Sequence, residues 1–138
     1  MTAAPPLFEV DPCFLGRLAV LANEQGRPID PRVVGTRHGL RGEPVPLATV
    51  TAVGRDAGFG ISPCRLSWDA LGCVPLPALM VFRDRSTAIL DAVLGDPPHS
   101  VLIREDGPDA PPLSLDHDDL APLWGGEILL LETLGAIG

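Results

Sequence analysis

Lysine is absent from this 138-residue chain: all ten basic residues are arginine, and eighteen Asp and Glu leave a formal net charge of −8. A nucleic-acid binder carries a basic stripe and a peripheral membrane protein a Lys/Arg-rich face. The balance therefore speaks against nucleic acid and against direct membrane insertion. Long apolar runs are missing as well. The longest, Val74 to Phe82, has nine residues and contains two prolines, well short of the ~20 that a membrane-spanning helix needs. Cysteine is scarce, and Cys13, Cys64 and Cys73 are odd in number and lack the paired spacing of a zinc site. Met1-Thr-Ala-Ala-Pro-Pro has neither the basic start nor the apolar core of a secretory signal. A cytoplasmic chain with reduced thiols is expected. No Gly-rich segment has the strand, glycine pattern and Lys that cradle phosphate.

What is present is a large apolar fraction, 46%, too high for a disordered chain despite 15 Gly and 16 Pro. The length suits one domain with a real core. From Pro12 to Gln25 the residues Phe14, Leu15, Leu18, Leu21 and Ala22 fall at helical spacings of three and four, and Gly26 stands at the left-handed cap position. Asp30-Pro31 is an N-cap followed by a first-turn proline, opening a short helix that ends near Gly39. A third helix is expected from Pro46 to Ala57, weakened by Gly54.

The second half reads as strands: Ile61 to Ser67, Leu76 to Phe82, Thr87 to Val93, Ser100 to Arg104 and Glu127 to Glu132, separated by Gly/Pro/Asp-rich turns. Ser114 followed by Asp116 to Leu123 reads as a capped helix before the last strand. Helices followed by a strand meander imply an α+β fold, with helices packed on an antiparallel sheet. With Asp96-Pro97 at a hairpin tip, facing residues sum to about 192, which sets Thr87 opposite Glu105.

Cys13 lies in the first turn of the first helix, where backbone N–H groups and the macrodipole favour a thiolate. The competing reading is a small buried hydrophobe. A thiolate peptidase needs a base, and the three histidines lie in a Gly-flanked helix end (His38), at a strand start (His99) and in an acidic helix (His117). Asp116-His-Asp-Asp reads as a solvated acidic face, with no metal expected, because neighbours around one turn do not converge on a point. Trp68 and Trp124 stand beside acidic residues in a chain that is 4% aromatic. Trp124 reads as core, and Trp68 as either core or the rim of a groove.

The ordered set of a Cys-started helix running into Leu18-Ala-Val-Leu-Ala with Gly26-Arg-Pro at its end, the Leu47 to Gly58 helix, Arg65-Leu-Ser-Trp, Leu76-Pro-Ala-Leu and Leu120-Ala-Pro-Leu-Trp-Gly-Gly-Glu-Ile-Leu-Leu resembles the N-terminal C39 peptidase or C39-like domain of bacterial ABC exporters. The resemblance covers residues 11–132, leaving 1–10 as an N-terminal extension and 133–138 as a tail, beyond which an exporter of this kind would enter the membrane. It implies a papain-like cysteine peptidase fold. Active members cleave double-glycine leaders from exported peptides such as bacteriocins. Residue by residue, the nucleophile position is Cys13, the histidine position Thr87, the orienting acid position Glu105 and the oxyanion glutamine position Leu7. Pro12 and Phe14 replace the Asp and Gly that flank the cysteine in the family.

A threonine accepts no proton at neutral pH, so the thiol lacks its base, a loss of several orders of magnitude in comparable units. A missing oxyanion donor costs about 2.7 to 4 kcal/mol more. The expectation is thus a degenerate, non-catalytic domain. It is similar to the C39-like domains of type I secretion transporters, which hold an unfolded substrate, often a calcium-binding repeat toxin or adhesin, before export. The implied partners are an unfolded polypeptide and the membrane and ATPase domains of an ABC exporter, at the inner face of the inner membrane. ATP enters only through such an ATPase. Phe14, Trp68 and Phe82 are the candidate substrate contacts. The alternatives are a residual cysteine peptidase, with His99 or His117 moved into the base role, and a stand-alone adaptor or scaffold.

Overall fold

The computed structural model describes residues 9–104 and 111–134. Helix α1 (Phe14–Glu24) buries Phe14, Leu15, Leu18, Leu21 and Ala22, the stripe expected from the sequence. It ends where Gly26 takes φ +78° and the N–H groups of Gly26 and Arg27 turn back to the carbonyls of Asn23 and Ala22, the paired bonds of a left-handed C-cap. Helix α2 (Pro31–Arg37) starts at Asp30, whose side chain accepts from the Arg32 N–H at 2.9 Å.

Helix α3 (Leu47–Asp56) buries Val50 and Val53. Gly54, a weak point for helix propensity, proves to be a packing requirement: a Cβ there would stand 2.6 Å from Ile61 Cγ1. The helix can lie this close to the sheet only because the side chain is missing. A short ladder of β1 (Glu9–Val10) and β2 (Val45–Pro46) ties the segment before α1 to the start of α3.

The main sheet is antiparallel throughout. It comprises β3 (Phe59–Arg65), β4 (Ala78–Val81), β5 (Thr87–Leu94), β6 (Ser100–Arg104), β7 (Leu113–Asp116) and β8 (Glu127–Thr133), in the order β3-β8-β4-β5-β6-β7. Strands β4 to β6 form a meander as expected and β7, a strand not expected from the sequence, extends it, while the closing strand β8 inserts between β3 and β4. Pro63 is tolerated in β3 because that strand is an edge and one side needs no donor.

Alternation along the strands separates two cores. Leu79, Val81, Ile89 and Leu129 face α1 and α3 and join Phe14, Leu18, Leu21, Val50 and Val53. Ala78, Met80, Ala88, Leu90 and Ile128 face the other way, beneath Leu71, Leu120 and Trp124. All four residues of β4 are buried, as two covered faces require. The second cover is made of short pieces: a 3₁₀ segment (Trp68–Cys73), α4 (His117–Leu120) and the loop through Trp124.

Two expectations are corrected here. The helix expected over 116–123 is one turn, α4, while Ser114 belongs to β7. Asp116 is the cap, accepting from the Asp119 N–H at 2.8 Å while Asp119 accepts from its own. The β5–β6 register also differs, because a bulge at Asp91 and a wider turn shift the pairing. Ile89 faces Arg104 and Leu94 faces Ser100. Ile103, not Arg104, would face Ile89 in the expected register, and a shift by one exchanges the faces. Ile103 accordingly joins the second core, while Arg104 reaches α1. The Thr87 and Glu105 pairing itself falls partly outside the described residues, as do Leu7 and Glu105.

Candidate functional site

Cys13 is the N-cap of α1, and its Sγ lies 3.7 Å from Thr87 Oγ1 at the start of β5. The fold therefore brings together Cys13 and Thr87, the residues that the resemblance sets at the nucleophile and histidine positions. Thr87 pairs with Val81 and shares its face with Ile89, so its side chain points at α1. It is 1% exposed. One turn along α1, the buried Arg17 donates from Nε to the Thr87 carbonyl at 3.0 Å, pinning the strand to the helix.

The Cys13 N–H, a group that in cysteine peptidases faces the developing oxyanion, is already engaged. Asp11 Oδ1 accepts from it at 2.9 Å, and the Asp11 N–H donates to the Arg85 carbonyl at 2.8 Å. A carboxylate at that position satisfies the donor and repels a second negative oxygen. Asp11 was not among the expected site residues. The Asp-Pro-Cys run before a helix was the available signal, because Asp commonly accepts from an N–H two residues on.

None of the histidines stands at Cys13. His38 Nε2 lies 3.2 Å from Asp56 Oδ2, whose carboxyl is held below its usual range first by hydrogen bonding to Arg37 and then by His38. His99 follows the far end of β5, about 23 Å from Thr87 at ~3.3 Å per residue, with Nδ1 3.2 Å from Ser100 Oγ. His117 is on the opposite face of the sheet, its ring stacked on Trp68 with centroids 4.9 Å apart. The thiol has a hydroxyl neighbour and no imidazole.

Of the three expected contact residues, Phe14 is corrected: it is fully buried between α1 and the sheet, with no surface to offer a partner. Phe82 is half-buried at the end of β4 and packs on the second core. Trp68 is also half-buried, with its indole N–H donating to the Pro98 carbonyl at 2.7 Å. Trp124 is core, as expected. Trp68, His117, Trp124, Arg83 and Gly125 line a cleft of about 250 Å³.

Arginines divide into two kinds. Arg104 donates to both Glu24 oxygens at 2.6 and 2.7 Å and to Asp91 at 2.6 Å, joining the end of α1 to the bulge of β5. Its hydrogen bond lowers the Glu24 carboxyl pKa and the pair holds the guanidinium more firmly charged. Arg37 binds Asp56 equally closely, at 2.6 and 2.7 Å. By contrast, Arg65 and Arg85 both stand 4.0 Å from Glu127, and the buried Glu127 Oε2 has no hydrogen-bond partner among the described residues.

An antiparallel sheet with a cysteine-started helix packed on one face is the papain-like fold, shared with solved C39 peptidase-like domains. Solved structures with this fold include the N-terminal peptidase C39-like domain of a toxin secretion ATP-binding protein from Vibrio parahaemolyticus, at 17% identity and TM-score 0.70, covering 89% of this chain and 97% of that one. The peptidase domain of Streptococcus ComA, a bifunctional ABC transporter involved in quorum sensing, matches at 11% identity and TM-score 0.71, over 92% and 98% of the two chains. A double-glycine motif protease from an AMS/PCAT transporter, solved with its leader peptide, matches at 12% identity and TM-score 0.68, over 88% and 84%. The sequence itself matches no protein-family model and no curated protein.

Proposed function

We propose that this chain is a non-catalytic C39-like domain that docks an unfolded polypeptide for an ABC exporter of the type I secretion kind. The observation that carries the reading is the 3.7 Å contact between Cys13 Sγ and Thr87 Oγ1. The geometry that should hold a base holds a hydroxyl, which takes no proton from a thiol at neutral pH. The engagement of the Cys13 N–H by Asp11 supports the same reading, because the oxyanion of acyl transfer finds its donor taken. The fold shared with exporter domains supplies the setting, and one of those domains was solved with a leader peptide. Trp68 and Phe82 are the contact residues of the proposed docking surface.

The test is titration of this domain with the unfolded C-terminal part of a co-encoded secreted protein. Saturable binding in the micromolar range is expected, with no cleavage of a double-glycine leader peptide. Absence of binding at high micromolar concentration removes the docking role. Leader turnover abolished by Cys13→Ala restores the residual peptidase.

A further inference from the structure

Resting on the docking reading, we propose that the cleft between the two pieces of the second cover holds the C-terminal residue of the docked polypeptide. Its side chain would lie against Trp68 and Trp124, and its terminal carboxylate on Arg83. Trp68 comes from the 3₁₀ segment, His117 from the start of α4, and Trp124 and Gly125 from the loop that follows α4. The cavity is about 250 Å³, below the ~300 to 1,000 Å³ of sites that take drug-sized ligands. It has room for one large side chain and not for a folded element.

Its walls offer carbon and one open cation. Both indole N–H groups are engaged, that of Trp68 by the Pro98 carbonyl at 2.7 Å and that of Trp124 by the Glu127 carbonyl at 2.6 Å. The rings have no donor left to give, so what they present is apolar and π surface. Arg83 is exposed, makes one long bond of 3.4 Å to the Ala121 carbonyl, and has no ion pair among the described residues. Its neighbour Asp84 is turned onto Ser86, accepting from the N–H at 2.9 Å and from Oγ at 2.5 Å. A guanidinium in that state keeps a donor fork for a carboxylate.

The surroundings decide which carboxylate. Exposed acids stand on both pieces that bound the cleft, Asp69 on the 3₁₀ segment and Asp118 and Asp119 on α4, in a chain of net charge −8. A run of Asp and Glu would meet like charge there. The last residue of a polypeptide brings a single carboxylate, and carries it on the same Cα as its side chain. One cation beside one apolar cavity matches that pairing. The charge contribution should weaken with salt.

The experiment measures fluorescence anisotropy of labelled, unstructured, tryptophan-free peptides on the whole 138-residue chain. The first ends in Phe with a free carboxylate and the second is its C-terminal amide. The third, also amidated, carries an internal Phe followed by Asp. The two tryptophans of the chain both line the cleft, so their emission reports its occupancy. The free acid is expected to bind about tenfold or more tightly than its amide at low salt, with a change in tryptophan emission. Arg83→Gln should erase the difference while Arg32→Gln on α2 keeps it, with unchanged circular dichroism. Equal binding of acid and amide overturns the proposal and leaves the docking role standing. So does binding of the internal Phe-Asp peptide as tightly as the free acid, because a side-chain carboxylate is then the one read. A preference that survives Arg83→Gln, or that leaves tryptophan emission unchanged, overturns it by placing the chain end elsewhere. If no peptide binds but the unfolded polypeptide of the docking titration does, this proposal alone falls; if that polypeptide also fails to bind, both fall.

Discussion

Cys13 and Trp68 lie on opposite sides of one sheet, and the chain treats the two surroundings differently. On the α1 side every polar group near the thiol is satisfied from within: Asp11 takes the Cys13 N–H, Thr87 faces the sulfur, and Arg17 holds the Thr87 carbonyl. On the Trp68 side the contacts are looser: the half-buried indole donates to the Pro98 carbonyl, His117 stacks on it, and the exposed Arg83 makes one long bond, 3.4 Å to the Ala121 carbonyl. An internal partner removes a group from chemistry with substrate, since it competes with the ligand at no translational cost. The comparison teaches that the proposed inactivity at the first site would rest on satisfied contacts and not only on a missing histidine.

The largest effects should come from the α1 side, where packing is complete. Phe14 is wholly buried, so Phe14→Ala is expected to cost about 3 to 5 kcal/mol by lost transfer energy plus a cavity. Urea denaturation would read this as a lowered midpoint with unchanged slope. A much smaller loss would mean that α1 is not locked to the sheet. Next comes Gly54→Ala, which drives a Cβ into Ile61 and should cost about 1 to 3 kcal/mol despite the better helix propensity of alanine. A stabilised variant would show that α3 can move off β3.

The helices were legible from the sequence because local signals fix them: the three-and-four stripe of α1, the Gly26 cap and the Asp30-Pro31 start act within a few residues. Five strands of the main sheet were legible for the same reason, and β6 matches residue for residue, whereas β7 and the short β1 and β2 were not read from the sequence. What sequence reasoning could not supply depends on distant partners. The insertion of β8 between β3 and β4 is decided by which edges remain unpaired, and the Asp91 bulge is tied to α1 through Arg104, which binds Asp91 and Glu24 together. Phe14 was misassigned as a contact residue because helical period alone does not say how deeply a residue at the edge of the stripe sinks. At the site, Cys13 and Thr87 could be aligned, whereas the Asp11 contact and the loosely paired arginines required coordinates.

A smaller effect separates the tightly paired arginines from the loose ones. Glu24 has its carboxyl pKa lowered in the folded state, chiefly by hydrogen bonding to Arg104. A depressed folded value means that the unfolded chain binds the proton more readily. The contribution is therefore present above the ordinary value of 4.5 and is lost as the pH falls through the folded value. Arg104→Gln should flatten the acid side of the stability profile, whereas Arg65→Gln should leave it unchanged. Thermal midpoints measured from neutral to acid pH check both. A similar flattening by Arg65→Gln would erase the distinction between the two kinds of arginine.

The smallest expected effect concerns the thiol itself. Cys13→Ala removes a half-buried sulfur whose side-chain neighbour is the Thr87 hydroxyl. Stability should change by less than about 1 kcal/mol, and affinity for a docked peptide should hold within about twofold, by the same anisotropy measurement. Thr87→His is the sharper companion. It returns an imidazole to the position facing Sγ but leaves the Cys13 N–H on Asp11, so leader-peptide turnover should remain absent. Adding Asp11→Ala frees the donor while keeping the imidazole. Turnover that appears with Thr87→His alone would mean that the missing base was the whole of the inactivity and that the Asp11 contact is incidental. Turnover that appears only in the double variant would show that the site was closed at two independent points, one on each side of the sulfur.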